Sequence, residues 1–346
     1  MKIVIDTKYE DTFTATSKAR DDVNKILTKN NYNIKYIIIK SKNLFLNIIF
    51  NYIQLKKILK NIPNNSTLLF QYPFDSMSYR YSKKIKKYCL KNNIKSIALI
   101  HDINLLRTTS KVGKLYFKYF VKEFKFLNNF DIVICHNSRM KDYLVSNKVE
   151  ESKIICLNLF DYLINDRAKK SDKYDFKSVI VAGNLSESKA GYLYKLNDLN
   201  IDEYHYDLYG MNYSGEVNKH IVYKGVFKSD KPREKIKDGF GLVWDGNSYN
   251  ECDGNFGKYL EWNNPHKFSL YMASGIPVIV WSKSALSDFV RENEVGVIVD
   301  SLSDLNDFFK KLDYEQYMKY VSNVKKIQKK VINGDFLTQA IKRCKI

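Results

Sequence analysis

The sequence lacks the residue patterns of several common protein classes. Its five cysteines form no Cys-x-x-Cys pair and its five histidines form no cluster at metal-ligand spacing. These absences argue against a structural zinc site or a disulfide framework, and the unpaired cysteines favour a reducing cytosol. The Gly-x-Gly-x-x-Gly fingerprint is also missing, which argues against a nicotinamide-dependent enzyme.

Long apolar runs are scarce as well. The most lipophilic stretch, residues 44–59, is interrupted by Asn47, Asn51 and Gln54. It is shorter than the roughly 20 apolar residues that a membrane span needs. It predicts an amphipathic helix that packs on a core, with docking on a membrane surface as the alternative. The amino terminus is charged within six residues and predicts a first strand instead of a signal peptide, so we expect a cytoplasmic protein.

Acidic residues are too few to balance the basic ones. Among 346 residues, 57 Lys and Arg stand against 38 Asp and Glu, a formal charge of +19. Such a charge predicts attraction to an anionic partner, which can be nucleic acid, a membrane surface or a phosphate-bearing substrate. The lysines are scattered and not interleaved with aromatic residues on one face, so we expect no nucleic-acid partner. Solvated surface lysines, which an AT-rich genome would supply, are the favoured interpretation of the charge, and peripheral contact with an anionic membrane, at its inner face, is a further hypothesis.

Short β-branched runs alternate with charged helical segments throughout the chain. This alternation predicts βαβ units and parallel sheets, an α/β fold with two doubly wound, Rossmann-like domains facing a cleft. The predicted strands are residues 3–5, 36–39, 68–70, 97–100, 132–134, 179–182, 206–209, 221–223, 241–244, 278–280 and 297–299. The polar stretch 165–177 predicts a link. We therefore expect domains at 1–165 and 176–330, with a terminal helix at 331–346.

Two candidate features follow strands of the first domain. Thr16, with Thr14 and Ser17, lies in the loop after the first strand, where it either caps a helix or exposes N–H groups to an anion. His101 and Asp102 follow the buried strand 97–100 directly. Either side chain is a natural general base for a hydroxyl nucleophile, and the alternative is a loop cap. Asn137 either joins this group or caps the next helix.

Glycines, an asparagine and lysines mark strand ends in the second domain. Gly183, Asn184 and Lys189 follow one strand, and Gly210 follows the next. A helix amino terminus with a lysine suits a pyrophosphate, although a single lysine in a basic chain can equally be surface. Gly239 and Gly241 permit close backbone approach, or serve a structural turn.

Residues 252–280 form the most informative segment. They predict a helix that opens at Lys267 and Ser269, ends at a left-handed Gly275 and stops before Pro277 and a buried strand. Such a turn predicts a nucleotide-sugar pocket at the edge of a parallel sheet. The helix begins with His266, Lys267 and Ser269, and its apolar side carries Phe268, Leu270 and Tyr271. Asp-x-Asp, a metal-holding carboxylate pair, is absent, so we expect neither a metal nor another cofactor.

Four segments carry a resemblance to a known family. They are LIHDINLLR, AGNLSESKAGYL, GFGLVWDG and CDGNFGKYLEWNNPHKFSLYMASGIPVIV. Together they resemble bacterial glycosyltransferases of the glucosyltransferase 3-like group, which includes β-1,6-galactofuranosyltransferases. The resemblance implies a GT-B architecture, a UDP-sugar donor on the carboxyl-terminal domain, a glycan acceptor on the amino-terminal one, and homo-oligomers. It also implies that Lys189 and residues 266–271 contact UDP, with Thr16 near a further contact.

The resemblance and the residues together predict a hexosyltransferase of bacterial cell-surface polysaccharide or glycoprotein glycan synthesis. Galactofuranose is the first donor sugar to consider and glucose the second, and the acceptor can be lipid-linked. Asp102 or His101 would take the acceptor proton in one inverting displacement. The alternative is a non-catalytic subunit that binds nucleotide-sugar or carbohydrate and supports a partner transferase.

Overall fold

The chain folds into two compact units. The computed structural model describes residues 1–9, 15–39, 44–74, 79–107, 122–165 and 174–345. Unit 1 comprises Met1–Asn158 and Phe336–Ile346, and unit 2 comprises Leu159–Asp335. The last helix therefore belongs to the first unit. Of the predicted link at 165–177, residues 166–173 lie outside the described residues.

Unit 1 contains a six-stranded parallel sheet in the order β2-β1-β3-β4-β5-β6. The strands are β1 (Lys2–Tyr9), β2 (Tyr32–Ile39), β3 (Thr67–Tyr72), β4 (Lys95–Ile100), β5 (Ile132–Cys135) and β6 (Ile154–Cys156). The central strands are rich in Ile, Val and Leu because a parallel sheet is covered by helices on both faces. The described helices are α1 (Ala15–Lys29), α2 (Leu44–Lys60), α3 (Tyr79–Lys91), α4 (Asn104–Arg107), α5 (Glu123–Leu127) and α6 (Ser138–Ser146), with a 3-10 helix at Glu151–Lys153.

Unit 2 contains a second six-stranded parallel sheet, in the order β12-β11-β10-β7-β8-β9. Its strands are β7 (Ser178–Asn184), β8 (His205–Met211), β9 (Ile221–Gly225), β10 (Phe240–Val243), β11 (Val278–Trp281) and β12 (Gly296–Val299). The helices are α7 (Glu187–Ala190), α8 (Gly254–Tyr259), α9 (His266–Ser274), α10 (Ser287–Asn293), α11 (Leu305–Lys311) and α12 (Tyr314–Asn333). Helix α13 (Asp335–Arg343) follows, and 3-10 turns occur at Gly191–Asp198, Pro232–Glu234 and Leu302–Asp304.

The helix predicted from the Gly-Ile-Pro turn is confirmed. Helix α9 ends at Gly275, whose φ of 85° is the left-handed conformation that favours glycine. Pro277 follows and strand β11 begins at Val278. The side chain of Gln328 on α12 donates a hydrogen bond of 2.8 Å to the carbonyl of Ala273, so α12 lies against the end of α9. The turn thus sets the first residues of α9 beside the end of strand β10.

Every predicted strand is present. Sequence reasoning missed only one strand of the described sheets, β6, which has three residues and falls short of a recognisable run. The lipophilic stretch forms α2, as predicted. No helix within the described ranges combines the length and the apolar character that a membrane crossing requires.

Candidate functional site

Two glycines shape the end of strands β7 and β8. Gly183 and Gly210 are register partners, and a Cβ on Gly210 would lie 1.8 Å from the Gly183 carbonyl oxygen. A side chain therefore does not fit at Gly210. A Cβ on Gly183 would meet no atom within 4 Å, so the strand is open on that side. Asn184 uses its side-chain oxygen to accept hydrogen bonds from the Ser186 N–H at 3.1 Å and from Asn212 Nδ2 at 3.0 Å.

Lys267 makes the dominant charged contact of this edge. From the first turn of α9, its Nζ donates to the Trp244 carbonyl at 3.0 Å and to Asp245 Oδ1 at 2.9 Å. The two side chains are only 15% and 10% exposed, so the ion pair is shielded from water. The pair ties the start of α9 to the segment that follows β10. Sequence reasoning selected Lys267 and did not assign Asp245.

Lys189 lies at the same edge. Its carbonyl accepts the Gly246 N–H at 3.2 Å, and the Gly246 carbonyl accepts the Tyr192 N–H at 3.1 Å. The Lys189 Nζ stands 5.9 Å from the ring centroid of Phe256, a cation–π distance. The structure thus brings Lys189, Asp245, Gly246 and Lys267 together, and we refer to these four residues as the rim.

Gly246 allows a sharp backbone turn at the rim, which also contains Lys189 and Lys267. Its φ is 118°, and a Cβ there would lie 2.4 Å from Asp253 Oδ1. The same carboxylate oxygen accepts the N–H groups of Asn247 and Ser248. Gly257 packs just as tightly, because its Cβ would lie 2.6 Å from the Asp245 carbonyl. Gly246, Gly257 and the Asp253 carboxylate therefore hold Asp245 where Lys267 reaches it.

The remaining predicted residues of α9 are packing residues in this structure. Phe268 and Tyr271 are completely buried, and Ser269 and Leu270 are 2% and 7% exposed. His266 packs its ring against Tyr162 at 4.8 Å and lies edge-on to Phe160 at 6.3 Å. These side chains hold the helix in place, and ligand contact through them stays a prediction.

Tyr271 explains the glycine at position 241. Its hydroxyl accepts the Ala182 N–H at 2.9 Å and lies within 3.1 Å of the Ile180 carbonyl and 3.3 Å of the Leu242 carbonyl. A Cβ on Gly241 would overlap the Tyr271 ring at 2.1 Å. Gly241 therefore makes room for a core tyrosine that bridges β7 and β10. Gly241 lies within strand β10 and not in the structural turn that was its alternative, so its lack of a side chain serves the packing of Tyr271.

We expect Tyr271→Phe to lower the free energy of unfolding by about 1–3 kcal/mol, because the Ala182 N–H loses its partner inside the core. Tyr192→Phe is the matched control. Tyr192 is also fully buried, but its hydroxyl contacts no hydrogen-bonding partner among the described residues, so its removal should cost little or stabilise the fold. Urea unfolding of both variants measures the difference, and equal losses would contradict the role given to the Tyr271 hydroxyl.

In unit 1, a series of buried, hydrogen-bonded polar side chains runs along the carboxyl ends of β1, β3 and β4. The carboxylate of Asp6 accepts from Arg20 Nη1 at 2.6 Å and from Asn24 Nδ2 at 2.8 Å. Asn24 Oδ1 accepts from Gln71 Nε2 at 2.7 Å, and Gln71 Oε1 lies 2.7 Å from His101 Nε2. All five side chains are mostly buried. Arg20 also donates to the Pro73 carbonyl at 2.6 Å.

This chain of contacts determines which nitrogen of His101 carries the proton. The Asp6 carboxylate can only accept hydrogen bonds, so the Asn24 amide nitrogen must face it. The Asn24 amide oxygen then faces Gln71. Gln71 must then present its oxygen to His101, so His101 Nε2 carries a hydrogen. In the neutral ring the lone pair is therefore on Nδ1, the nitrogen that can act as a base.

Asp102 has a different environment. Its Oδ2 accepts from Arg107 Nη1, and the two side chains are 21% and 40% exposed. Proton transfer to Asp102 would break this ion pair, whereas His101 has an anchored ring and a defined base nitrogen.

The buried Glu123 holds the helix that follows Asp102. Its carboxylate accepts from the Tyr72 hydroxyl at 2.5 Å and from the N–H groups of Asn104 and Leu105 at 2.9 Å, and burial raises its pKa. Glu123 thereby positions the helix that carries Arg107.

Of the other predicted residues of unit 1, Asn137 has a clear outcome. Asn137 caps α6 by accepting the Met140 N–H at 2.8 Å, so its capping alternative is confirmed. The neighbouring His136 is buried against the Ile100 carbonyl, and burial lowers its pKa to about 4, which keeps it neutral. Thr14 lies outside the described residues, and for Thr16 only the backbone is described, within α1. The role of Thr16 stays a prediction.

Comparison with known proteins places the chain in a family. Residues 1–159 match the glucosyltransferase 3-like N-terminal domain, and residues 179–344 match the glucosyltransferase 3-like C-terminal domain. The chain belongs to the glucosyltransferase 3-like family. The resemblance read from the four segments is thereby confirmed.

Two named proteins are similar to this glucosyltransferase 3-like chain over most of its length. The β-1,6-galactofuranosyltransferase WbbI of Escherichia coli K12 is 32% identical over 296 residues, which cover 85% of this chain and 83% of that protein. Glucosyltransferase 3 of Streptococcus gordonii is 27% identical over 247 residues, or 70% of this chain and 68% of that protein. The chain is thus a glycosyltransferase by family.

Solved structures confirm the fold of this family member. Sucrose-phosphate synthase of Thermosynechococcus elongatus superposes with a TM-score of 0.67 over 100% of this chain and 98% of its own, at 11% identity. Its fold and those of other matched glycosyltransferases are GT-B, as the sequence predicts. At such low identity the comparison supports the fold alone.

Sequence reasoning missed several residues of both sites in this glucosyltransferase 3-like chain. They are Asp6, Arg20, Asn24, Glu123 and Phe256. One signal was available, because Asp6 interrupts an apolar strand, where a polar side chain is unusual. The others have no such signal, because their partners are distant in sequence.

Proposed function

We propose that this chain transfers a hexose from a UDP-sugar to a sugar hydroxyl of a glycan acceptor in bacterial cell-surface polysaccharide or glycoprotein glycan synthesis. Galactofuranose is the first donor sugar to test and glucose the second. Membership of the glucosyltransferase 3-like family carries the proposal, and the galactofuranosyltransferase of E. coli is the more similar of the two named relatives.

The rim of unit 2 is the proposed donor site. Open parallel sheets bind ligands beyond the carboxyl ends of their strands, and the rim lies at that edge. Lys189 and Lys267 supply positive charge there, and the first turn of α9 adds the positive end of a helix dipole. These features suit a diphosphate without a metal, and we propose metal-independent transfer.

We propose that His101 is the general base in a single inverting displacement. The acceptor oxygen attacks C1 of the sugar while its proton passes to His101 Nδ1. The bond between C1 and the diphosphate oxygen breaks, and UDP leaves with that electron pair. The hydrogen-bonded chain from Asp6 to Gln71 supports this assignment because it anchors the ring and leaves the Nδ1 lone pair as the base.

UDP release tests the proposal. The purified chain is incubated with UDP-galactofuranose, UDP-galactopyranose or UDP-glucose and an acceptor glycan, with and without EDTA. We expect UDP to appear with one donor, to depend on the acceptor, and to be insensitive to EDTA. Donor binding without UDP release across a panel of acceptors would instead favour a non-catalytic subunit, and loss of turnover in EDTA would contradict metal independence.

The proposal extends to the acceptor and the assembly. We propose a lipid-linked acceptor, a position at the cytoplasmic face of the cell membrane, and a homo-oligomer. The formal charge of +19 supports the membrane location. Sedimentation velocity measures the oligomer, and a monomer at micromolar concentration would contradict that part of the proposal. Comparison of lipid-linked and water-soluble acceptors tests the rest.

A further inference from the structure

Helix α2 presents apolar side chains to solvent. Leu46, Ile49, Phe50 and Ile53 are 44%, 44%, 48% and 56% exposed. Their spacing of three and four residues places them on one face of the helix, and we call these four residues the apolar stripe. A helix that only packs on a core has the opposite arrangement, with polar residues outward.

The buried side of the same helix strengthens this point. Asn47 and Asn51 are 6% and 0% exposed, so amide side chains face inward at the level where Phe50 and Ile53 face outward. Over these two turns of α2, polar side chains are buried and apolar side chains are exposed, which is the reverse of the usual arrangement. Exposed apolar surface of this kind marks an interaction site more often than chance.

Basic residues border the apolar stripe. Helices α2 and α3 contain no Asp or Glu, and they carry Lys56, Lys57, Lys60, Lys83, Lys84, Lys86, Lys87 and Lys91. Contacts between the helices keep them side by side. Tyr81 donates to the Ile48 carbonyl at 3.0 Å and stacks on Tyr52 at 5.0 Å. Lys84 Nζ lies 2.9 Å from the Tyr52 hydroxyl and 4.1 Å from the centroid of its ring.

We propose that the apolar stripe and its bordering lysines dock on the surface of an anionic lipid bilayer, with α2 lying in the plane of the interface. Apolar side chains on one face, flanking lysines and a tyrosine at their border are the features of an interfacial helix. The inference deepens the membrane location proposed above and assigns it to a surface. Vesicle binding does not require transfer activity, so the two proposals can fail separately.

The positive charge around the apolar stripe favours an anionic bilayer as its binding partner over a second copy of the chain. A symmetric contact of the apolar stripe with itself would bring two lysine-rich borders together, since such an interface uses the same patch twice. Like charges would then repel, in a chain whose formal charge is already +19. Anionic lipid headgroups would instead be attracted to each lysine near the surface.

Flotation with vesicles tests this inference. The full chain is mixed with vesicles of phosphatidylglycerol and phosphatidylcholine, or of phosphatidylcholine alone, at low and high salt. We expect at least tenfold stronger binding to the anionic vesicles, weakened by salt. Phe50→Ser/Ile53→Ser should lower that binding at least tenfold, and Lys56→Gln/Lys57→Gln should lower it severalfold.

Matched controls keep the test specific. Met211→Ser/Val226→Ser removes equally exposed apolar residues from unit 2, and Lys325→Gln/Lys329→Gln removes exposed lysines there. Both should bind vesicles like the parent, and far-UV circular dichroism and turnover on a water-soluble acceptor should be unchanged in the stripe variants. Equal vesicle binding by the parent and the stripe variants would overturn the inference. So would a parent oligomer that dissociates in Phe50→Ser/Ile53→Ser without any vesicle binding by the parent.

Discussion

Replacement of His101 by glutamine is expected to lower the turnover number by about 10²–10⁴-fold, the usual contribution of a general base. Glutamine can still donate a hydrogen bond to Gln71 Oε1, which His101 Nε2 contacts at 2.7 Å. It has no basic nitrogen at the place of Nδ1. The fold should therefore persist while proton transfer is lost, and steady-state kinetics with thermal unfolding measures both.

Asp102→Asn is the matched control for His101→Gln. The two residues are neighbours in sequence, and Asp102 is already engaged by Arg107. If His101 is the base, Asp102→Asn should retain turnover within about tenfold, less than the loss of a catalytic base. A severe loss in Asp102→Asn together with an active His101→Gln would reverse the assignment and make Asp102 the base.

The second large effect concerns the pair of Lys267 and Asp245. Lys267→Met leaves the Asp245 carboxylate nearly buried and unpaired, so we expect the free energy of unfolding to fall by about 2–4 kcal/mol. Donor turnover should fall by about 10²–10³-fold, because the variant loses a cation that stabilises the departing diphosphate. Chemical unfolding and UDP-release kinetics measure the two effects.

A double variant separates these two effects. Asp245→Asn/Lys267→Met removes both charges, so most of the lost stability should return. Donor affinity and turnover should stay low, because the cation is still missing. If the double variant bound and turned over the donor like the parent, Lys267 would be a purely structural residue and the donor assignment would be wrong.

The strands of both sheets were predictable because each is a short run of β-branched and apolar residues between polar segments. The start and end of α9 were equally clear, since Gly275 and Pro277 are local stop signals. Strand β6 escaped prediction because three residues carry no period. Fold class therefore followed from local pattern.

The sites were predictable only in part, because their contacts join residues far apart in sequence. Lys267 and Asp245 are separated by 22 positions, and Gln71 and His101 by 30. Tyr271 illustrates a further limit of local sequence. The resemblance implies that it contacts UDP, and the structure adds that its hydroxyl bridges buried strands. Local sequence cannot distinguish a buried polar bridge from a binding residue.

The most direct test of the central claim, that the rim holds a UDP-sugar, is ligand-observed NMR of the purified chain with UDP-galactofuranose, UDP-galactopyranose and UDP-glucose. The parent, Lys189→Ala and Asp245→Asn/Lys267→Met are measured side by side. We expect the parent to bind one donor and both variants to lose that binding while remaining folded. Binding of no donor by the parent, or undiminished binding by both variants, would contradict the account.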